Sequence, residues 1–385
     1  MVDELAGLLP DVRRRVGLAP DVALAEHVRA VLHSRGVVLG GLALDRAVRA
    51  ASAELFGAGP LQGLLDDPAT TDVLVNGPRD VWVDRGGGLV RADVDLGTDA
   101  QVRELAVRLA AAGGQRLDDA SPMVDARLPD GTRLHAVVPP VCERGALISL
   151  RVLRTGTLRL EDLRAGGGVP PSWDPVLRAL VAARANVLVT GATGTGKTTL
   201  LGAMLGLVPA GERVVCIEEA RELAPTHPHV VSLAARRANV EGAGRVELAD
   251  LVRTSLRMRP DRIVLGECRG AEVREMLMAL NTGHDGGWAT LHANAPADVP
   301  ARLDALAGLA GMTSASMATQ AASALDAVLH LRRVAGRRFV SDVAVVDRGP
   351  DGGLRVEPAL QWRPGAEPTV TTRWGELAGR IGIGR

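Results

Sequence analysis

The sequence lacks the residue patterns that mark several classes of protein. Its three cysteines, Cys142, Cys216 and Cys268, are scattered over 385 residues without CxxC spacing. This argues against a disulfide framework or a zinc site and suits a reducing compartment. No charge-free apolar run approaches the ~18 residues of a membrane-spanning helix, and the N-terminal MVDELAGLLPDVRRR has no apolar core typical of a signal peptide. We therefore predict a cytoplasmic protein.

The chain also lacks an excess of either charge. Its 45 basic residues balance 45 acidic ones. Dedicated nucleic-acid binders usually carry a net basic footprint, so direct nucleic-acid binding is not expected.

The pattern of apolar residues, Gly and Pro divides the chain into five segments. Helical spacing in DVALAEHVRAVLHSRG predicts helices at the N-terminus, whereas TDVLVNGPRDVWVD, LPDGTRLHAVVPP and ALISLRVLR indicate short strands. Later, apolar strands alternate with helices, which predicts a parallel sheet covered on both faces. The predicted segments are an N-terminal helical region (1–50), a mixed α/β domain (51–160), a Gly/Pro-rich linker (161–175), an α/β nucleotide-binding domain (176–348) and a peripheral tail (349–385).

A phosphate-binding loop provides the sharpest signal. The sequence GATGTGKTT satisfies G-x-x-x-x-G-K-[ST] and follows the strand pattern NVLVT. Backbone N–H groups of such a loop point at phosphates, and the following helix adds its dipole. We expect Lys197 to reach the β- and γ-phosphates of ATP and Thr198 to offer its hydroxyl to Mg²⁺. The predicted nucleotide-binding residues are Gly191, Ala192, Thr193, Gly194, Thr195, Gly196, Lys197, Thr198 and Thr199.

Lysine itself is almost missing from the chain. Lys197 is the only one, and every other basic residue is Arg. A forked guanidinium does not replace a compact ammonium in a phosphate cradle, which explains the exception.

Two acidic clusters end predicted strands. Glu218, Glu219 and Glu222 follow VVCI, and Glu267 ends RIVLGE, in the manner of a Walker B strand. The carboxyl ends of parallel strands meet at one edge of a sheet, so these acids are candidates to hold Mg²⁺ and orient water. Gly266 stands where many P-loop enzymes carry a magnesium-binding Asp. The alternative is that the acids are solvated strand ends.

Two histidines follow in TGHDGGWATLHAN. His292 ends a strand expected beside the Walker B strand, where it could sense the γ-phosphate, and His284 lies in a Gly-rich loop that could change shape during turnover. Either residue could equally be structural. Their spacing suits no common metal site.

Taken in order, GATGTGKTT, IEEARE, LRMRPDRIVLGECRG and NTGHDGGWATLHAN resemble the Walker A, Asp-box, Walker B and His-box motifs of type II and type IV secretion ATPases. The resemblance covers roughly residues 50 to 345. The strings TDVLVNGPRDVWVDRGG and SPMVDARLPDGTRLHAVVPP are similar to the CpaF/Tad branch, which powers Flp-pilus assembly.

The resemblance implies a RecA-like ATPase core with a smaller N-terminal domain, assembled as a hexameric ring. ATP would lie between the two domains and drive their motion, which is passed to inner-membrane platform proteins at the inner face of the membrane. Glu267 would position the attacking water, Glu218 and Glu222 would be Asp-box acids, and His292 the His-box residue. Arg133 and Arg151, and less clearly Arg116, would be the arginines that the N-terminal domain brings to the phosphates.

Two departures and two alternatives stay open. IEEARE stands where the family commonly has IED, which leaves the role of Glu219 in doubt, and the long N-terminal extension of some relatives is not expected here. A conjugation-type traffic ATPase on the same fold, or a nucleotide-gated scaffold with little turnover, would share these motifs.

Overall fold

The computed structural model of the chain describes residues 7–19, 21–143, 145–152, 158–236 and 244–384. It contains two compact units, Met1–Arg154 and Thr155–Arg385. Each unit has its own hydrophobic core, so the two are described separately. Among the described residues, no helix is both long and apolar enough to cross a bilayer.

The first unit begins with the predicted helical region. Its helices are α1 (Leu9–Leu18), α2 (Leu24–Ser34) and α3 (Gly41–Phe56). They form because apolar residues recur every three or four positions and bury one stripe of each helix. The shared core consists of Leu8, Val12, Val28, Val31, Leu32, Ala47 and Ala51. The third helix continues past the boundary predicted at residue 50.

The rest of the first unit is an antiparallel sheet covered by a helix. Its strands are β1 (Asp72–Gly77), β2 (Asp80–Asp84), β3 (Leu89–Ala92), β4 (Met123–Arg127), β5 (Arg133–Val137) and β6 (Leu147–Arg151), in the order β3-β2-β1-β6-β5-β4. The short helix α4 (Gln62–Leu65) precedes them, and α5 (Asp99–Ala112) packs on the sheet. A capping box between Thr98 and Gln101 starts α5 by satisfying free N–H groups. The mixed α/β prediction is confirmed here.

The second unit is built on one large sheet. Within the described residues its strands are β7 (Val187–Thr190), β8 (Val214–Glu218), β9 (Val230–Ala234), β10 (Arg262–Cys268), β11 (Trp288–Leu291), β12 (Ala327–Val334), β13 (Arg337–Arg348), β14 (Leu354–Gln361) and β15 (Thr369–Val370). Their order is β15-β14-β13-β12-β7-β11-β10-β8-β9. From β12 to β9 the neighbours are parallel, whereas β12 to β15 are antiparallel.

Helices cover both faces of this sheet. They are α6 (Leu160–Ala165), α7 (Asp174–Ala182), α8 (Lys197–Leu205), α9 (Leu248–Ser255), α10 (Val273–Leu280), α11 (Val299–Leu309), α12 (Ser314–Ala324) and α13 (Trp374–Arg380). One core packs α7 and α8 on one face, and a second packs α10, α11 and α12 on the other. Strands β7 and β8 are buried along their whole length, as expected for a doubly covered parallel sheet.

Two segments differ from the sequence prediction. The Gly/Pro-rich stretch 161–175, expected to be a linker, contains α6 and the 3-10 turn Pro171–Trp173, and the unit boundary falls earlier, after Arg154. Trp173 is 2% exposed and packs into the core of the second unit, so the stretch is part of that unit. The segment 349–385, expected to be peripheral, adds β14, β15 and α13 because Leu360, Leu377 and Ile381 are buried in the same core.

Candidate functional site

The phosphate-binding loop lies at the carboxyl edge of the parallel sheet. It connects β7, which ends at Thr190, to α8, which begins at Lys197. Neighbouring strands bring their own carboxyl ends to the same edge, since β11 pairs with β7, β10 with β11 and β8 with β10. The predicted convergence of the loop, Glu267, Glu218 and His292 at one edge is therefore present in the fold.

The loop adopts a conformation that requires glycine. Gly191, Gly194 and Gly196 have φ angles of 147°, 74° and 97°, in the region that residues with a Cβ rarely enter. A Cβ on Gly191 would also lie 2.6 Å from the carbonyl oxygen of Leu331 and 2.7 Å from Thr195 Oγ1. These glycines let the loop turn tightly while β12 approaches it from the side.

Lys197 is folded back onto its own loop. Its ammonium donates to the carbonyl oxygens of Gly191 and Ala192, each at 3.0 Å, and the residue is 8% exposed. Burial lowers the pKa of Lys197, an effect that the carboxylate of Glu267 opposes. A buried ammonium held by two neutral carbonyls is well placed to exchange them for anionic oxygens.

His292 connects Lys197 to Glu267. Its Nδ1 lies 3.4 Å from Lys197 Nζ, and its Nε2 lies 2.6 Å from Glu267 Oε1. Burial and the nearby ammonium lower the pKa of His292. We infer a neutral ring that accepts from Lys197 at Nδ1 and faces Glu267 with its Nε2–H group, because burial disfavours the charged ring.

Arg269 holds the other oxygen of Glu267. Its Nη2 lies 2.6 Å from Glu267 Oε2, and the pKa of Arg269 is raised chiefly by this hydrogen bond. No role for Arg269 was predicted from the sequence. Arg269 lies just beyond the end of β10 at Cys268, so strand alternation could not predict its contact with Glu267. Glu272 accepts from the backbone N–H groups of Arg269 and Gly270 at 2.6 and 2.8 Å and fixes the turn that follows.

Glu218 lies on the strand beyond Glu267 and is 4% exposed. Its Oε1 accepts from the backbone N–H groups of Glu222 and Leu223, both at 2.9 Å. A Cβ on Gly266 would lie 2.6 Å from Glu218 Cγ, so the Glu218 side chain occupies the space that an Asp at position 266 would need. This explains the unusual glycine before Glu267.

The remaining Asp-box acids lie farther out. Glu222 is half-buried and Glu219 is exposed. Glu219 Oε2 lies 4.0 Å from Arg269 Nη1, at the limit of an ion pair. Within this cluster, Glu218 is the residue fixed most firmly by the fold.

Thr198 lies in the first turn of α8, directly after Lys197, and is half-buried. No group of three or more His, Cys, Asp or Glu residues in the described part of the chain is arranged to hold a metal ion. The donors present, one hydroxyl and the carboxylates of Glu218 and Glu267, fit Mg²⁺, which takes few protein oxygens and completes its shell with phosphate and water.

The predicted arginines belong to the first unit. Arg133 on β5 and Arg151 on β6 are cross-strand partners, and Arg151 Nε donates to Asp72 Oδ1 at 2.9 Å. Arg133 is half-buried, and Arg116 is exposed and pairs with Asp118. The described contacts do not test their role toward phosphates, which remains a prediction.

His284 lies at the opposite edge of the sheet from the loop. It precedes β11, whereas His292 follows that strand. The glycines near His284 are explained by packing: a Cβ on Gly287 would lie 2.2 Å from Leu280 Cδ2, and one on Gly286 would lie 2.8 Å from Arg262 Nη1. Of the two roles left open for His284, this position favours the structural one, because the loop packs at the amino edge.

Comparison with known proteins agrees with this geometry. Residues 54–346 match the family model described as type II/IV secretion system protein. The chain is similar to a protein of Mycobacterium tuberculosis named a putative conjugal transfer protein, with 51% identity over 332 residues, 84% of this chain and 94% of that protein.

More distant similarities include an established secretion component and a solved motor structure. The type IV secretion system protein VirB11 of Brucella suis is 32% identical over 275 residues, 65% of this chain and 76% of that protein. The crystal structure of the pilus retraction motor PilT with bound ADP has a TM-score of 0.54 at 20% identity, over 76% of this chain and 83% of that one. The structural likeness supports the predicted α/β ATPase fold.

Proposed function

The chain belongs to the type II/IV secretion system protein family, and we propose that it is an ATP-hydrolysing motor that powers pilus assembly of the Flp/Tad type or type II/IV secretion. The observation that carries ATP hydrolysis is the contact chain Lys197–His292–Glu267 at the phosphate-binding loop, and the pilus part rests on the resemblance to the CpaF/Tad branch. It links the group that would hold the γ-phosphate to the group that would orient water.

Binding begins with an exchange at Lys197. The triphosphate oxygens replace the carbonyls of Gly191 and Ala192 as partners of the ammonium, and the loop N–H groups with the α8 N-terminus bind the remaining phosphate charge. As Lys197 turns toward the γ-phosphate, its contact with His292 Nδ1 weakens. His292 contacts both Lys197 and Glu267, so its ring couples the occupancy of the phosphate position to the contact with Glu267.

Glu267 is the residue best placed to orient the attacking water. His292 and Arg269 hold its two oxygens, which fixes the carboxylate plane. A water held by this carboxylate is aligned for in-line attack, which is the main task of the protein in phosphoryl transfer. Glu218 lies on the neighbouring strand β8. The backbone N–H group of Glu222 donates to the Glu218 carboxylate and so fixes the turn that follows β8.

Thr198 and the acidic pair Glu218 and Glu267 would hold Mg²⁺, which would neutralise charge on the β- and γ-phosphate oxygens when bound. Thr198 directly follows Lys197 in the sequence. Both side chains therefore lie in the first turn of α8, beside the phosphate-binding loop.

The assembly is proposed from the resemblance and the family. Six subunits would form a ring, with Arg133 and Arg151 of the first unit completing the charge around the phosphates. An Arg arriving from a moving domain neutralises charge that grows in the transition state and couples hydrolysis to motion. The ring would pass that motion to platform proteins at the inner face of the cell membrane.

The direct test is Glu267→Gln. It keeps the shape but removes the charge, and its single amide oxygen can accept from only one of His292 and Arg269, so turnover should fall about 100-fold or more while ATP still binds. Glu219→Gln is the matched control, because Glu219 is exposed and at the edge of the same cluster. Steady-state phosphate release and fluorescent-ATP binding are the measurements. Normal turnover in Glu267→Gln would refute the assignment.

A conjugation-type traffic ATPase is the second candidate, favoured by the similarity to the protein named for conjugal transfer. The gene neighbourhood separates the two. Genes for small pilins and a platform membrane protein support pilus assembly, whereas a relaxase and coupling protein support transfer.

A scaffold with little turnover is a third possibility, and single-turnover hydrolysis on the purified oligomer decides it. Hydrolysis of bound ATP at each site supports a motor. Bound ATP that persists while the oligomer remains assembled supports the scaffold.

A further inference from the structure

The hairpin formed by β12 and β13 packs beside the phosphate-binding loop. The two strands are joined by Ala335 and Gly336, both with positive φ angles, which is typical of a tight two-residue hairpin turn. The sequence of this region, RRVAGRR, carries four arginines and no acid. The tip therefore concentrates positive charge at the carboxyl edge of the sheet.

Three glycines of the loop contact this hairpin. A Cβ on Gly191 would meet the carbonyl oxygen of Leu331 at 2.6 Å, one on Gly194 would lie 3.8 Å from Arg333 Nη1, and one on Gly196 would lie 3.7 Å from Arg338 Cδ. In addition, Arg338 Nε donates to the carbonyl oxygen of Gly194 at 2.8 Å. The loop and the hairpin thus form one continuous structure within the second unit.

Arg333 and Arg338 lie directly opposite each other on the two strands. Like charges at such a cross-strand pair destabilise a hairpin. Both residues are exposed, and both point to the side where the loop turns around its phosphate position. An anion on that side is attracted by both guanidinium groups.

We propose that Arg333 and Arg338 form a phosphate-binding pair that the second unit itself supplies to the nucleotide. The proposal rests on the proposed ATPase function. Arg338 contacts the Gly194 carbonyl and turns to the polyphosphate when ATP occupies the loop, and Arg333 adds the second positive charge. This pair is separate from Arg133 and Arg151, because it belongs to the same unit as the loop and needs no movement of the first unit.

The alternative role for Arg338 is only to shape the loop through the Gly194 carbonyl. The two roles differ in what they demand of the side chain. Phosphate binding depends on charge, so Lys can replace Arg in part and the effect grows with the number of phosphates. Shaping of the loop depends on the Nε contact, so Lys cannot replace Arg and nucleotides of every charge are affected alike.

The experiment measures the affinity of the full chain for ATP, ADP and AMP with Arg333→Gln, Arg338→Gln, the double variant and Arg338→Lys. The matched control is Arg332→Gln, since Arg332 is equally exposed but, as a neighbour on the strand, projects from the other face. Thermal unfolding without nucleotide checks that each variant folds.

We expect each Gln variant to lose about tenfold in ATP affinity, the strength of one charged hydrogen bond, with a smaller loss for AMP and partial recovery in Arg338→Lys. Two results overturn the proposal: ATP affinity equal to that of Arg332→Gln, or equal losses for ATP and AMP without recovery by Lys. Failure of the unsubstituted chain to bind ATP would instead refute the proposed function.

Discussion

The large sheet has an amino edge, where its parallel strands begin, and a carboxyl edge, where they end. The two carry similar residues in different arrangements. At the amino edge, Arg262 is 1% exposed, lies 2.7 Å from Glu212 Oε2 and donates to the carbonyl oxygen of Val181. Arg184 joins the same carboxylate at 3.1 Å. At the carboxyl edge, Lys197 is also buried, but its partners are carbonyls of a glycine-rich loop.

The difference shows how to tell a structural charge from a functional one. The partners of Arg262 are the Val181 carbonyl of α7 and the Glu212 carboxylate, which also pairs with Arg184, so the charge of Arg262 is balanced within the fold itself. The partners of Lys197 belong to a loop with positive φ angles, and phosphate oxygens can take their place. Burial and residue type alone would not have separated the two cations.

The sharpest test of this contrast is the pair Lys197→Ala and Arg262→Ala. We expect Lys197→Ala to lower ATP turnover about 100- to 1,000-fold, because the principal cation at the transferred phosphate is lost, with little change in stability. Arg262→Ala should instead lower the free energy of unfolding by about 3 kcal/mol, because it removes the buried partner of Glu212, which keeps only Arg184, and leaves a cavity in its place. ATPase assays and urea unfolding on both variants provide the measurements.

The comparison breaks if the two variants exchange their effects. A large loss of stability in Lys197→Ala would mean that the ammonium holds the loop in place, and a loss of turnover in folded Arg262→Ala would mean that the amino edge takes part in the reaction.

Two glycines offer a test of intermediate size. A Cβ on Gly266 would displace Glu218, and a Cβ on Gly287 would displace Leu280. We expect Gly266→Ala to lower turnover by about 100-fold through misplaced catalytic groups, whereas Gly287→Ala should mainly lower stability by about 1–3 kcal/mol through overpacking. Phosphate release and thermal unfolding of each variant would show the split. Equal behaviour of the two variants would contradict it.

The smallest expected effect concerns His330, a buried residue beneath the carboxyl edge. Its Nδ1 lies 2.9 Å from Thr190 Oγ1, and burial lowers its pKa more than the facing carboxylates of Asp342 and Asp298 raise it, while Arg332 lowers it further. The unfolded chain therefore binds more protons, and stability should fall as the pH drops below about 6.5.

In His330→Gln this loss of stability at acidic pH should become shallower, by at most about 1.4 kcal/mol per pH unit. Urea unfolding of both proteins between pH 8 and pH 5 measures the slopes. Coincident slopes would show that another group sets the pH dependence.

The parts of the site that could be predicted from sequence are those encoded by short local patterns. GATGTGKTT follows a strand, and Glu218, Glu267 and His292 end strands, so parallel pairing alone brings them to one edge. This convergence of the site residues does not depend on the order of the strands in the sheet. The α/β ATPase fold follows from the same alternation of strands and helices.

The remainder depends on contacts between distant segments. Arg338 meets Gly194 because of the β12–β13 register, and Trp173 and Ile381 join one core although both lie in segments rich in Gly and Pro. The role of His284 stayed open because its position relative to β11, and not its neighbours in sequence, decides which edge it occupies. Local composition cannot report such pairings.

The close approach of Glu218 to Gly266 links two positions that are 48 residues apart in sequence. The space between β8 and β10 admits one carboxylate, supplied here from β8. An Asp at position 266 would therefore need a smaller side chain at position 218. Across the family, these two positions are expected to vary together, exchanging the strand from which the acid comes while keeping a single acid in that space.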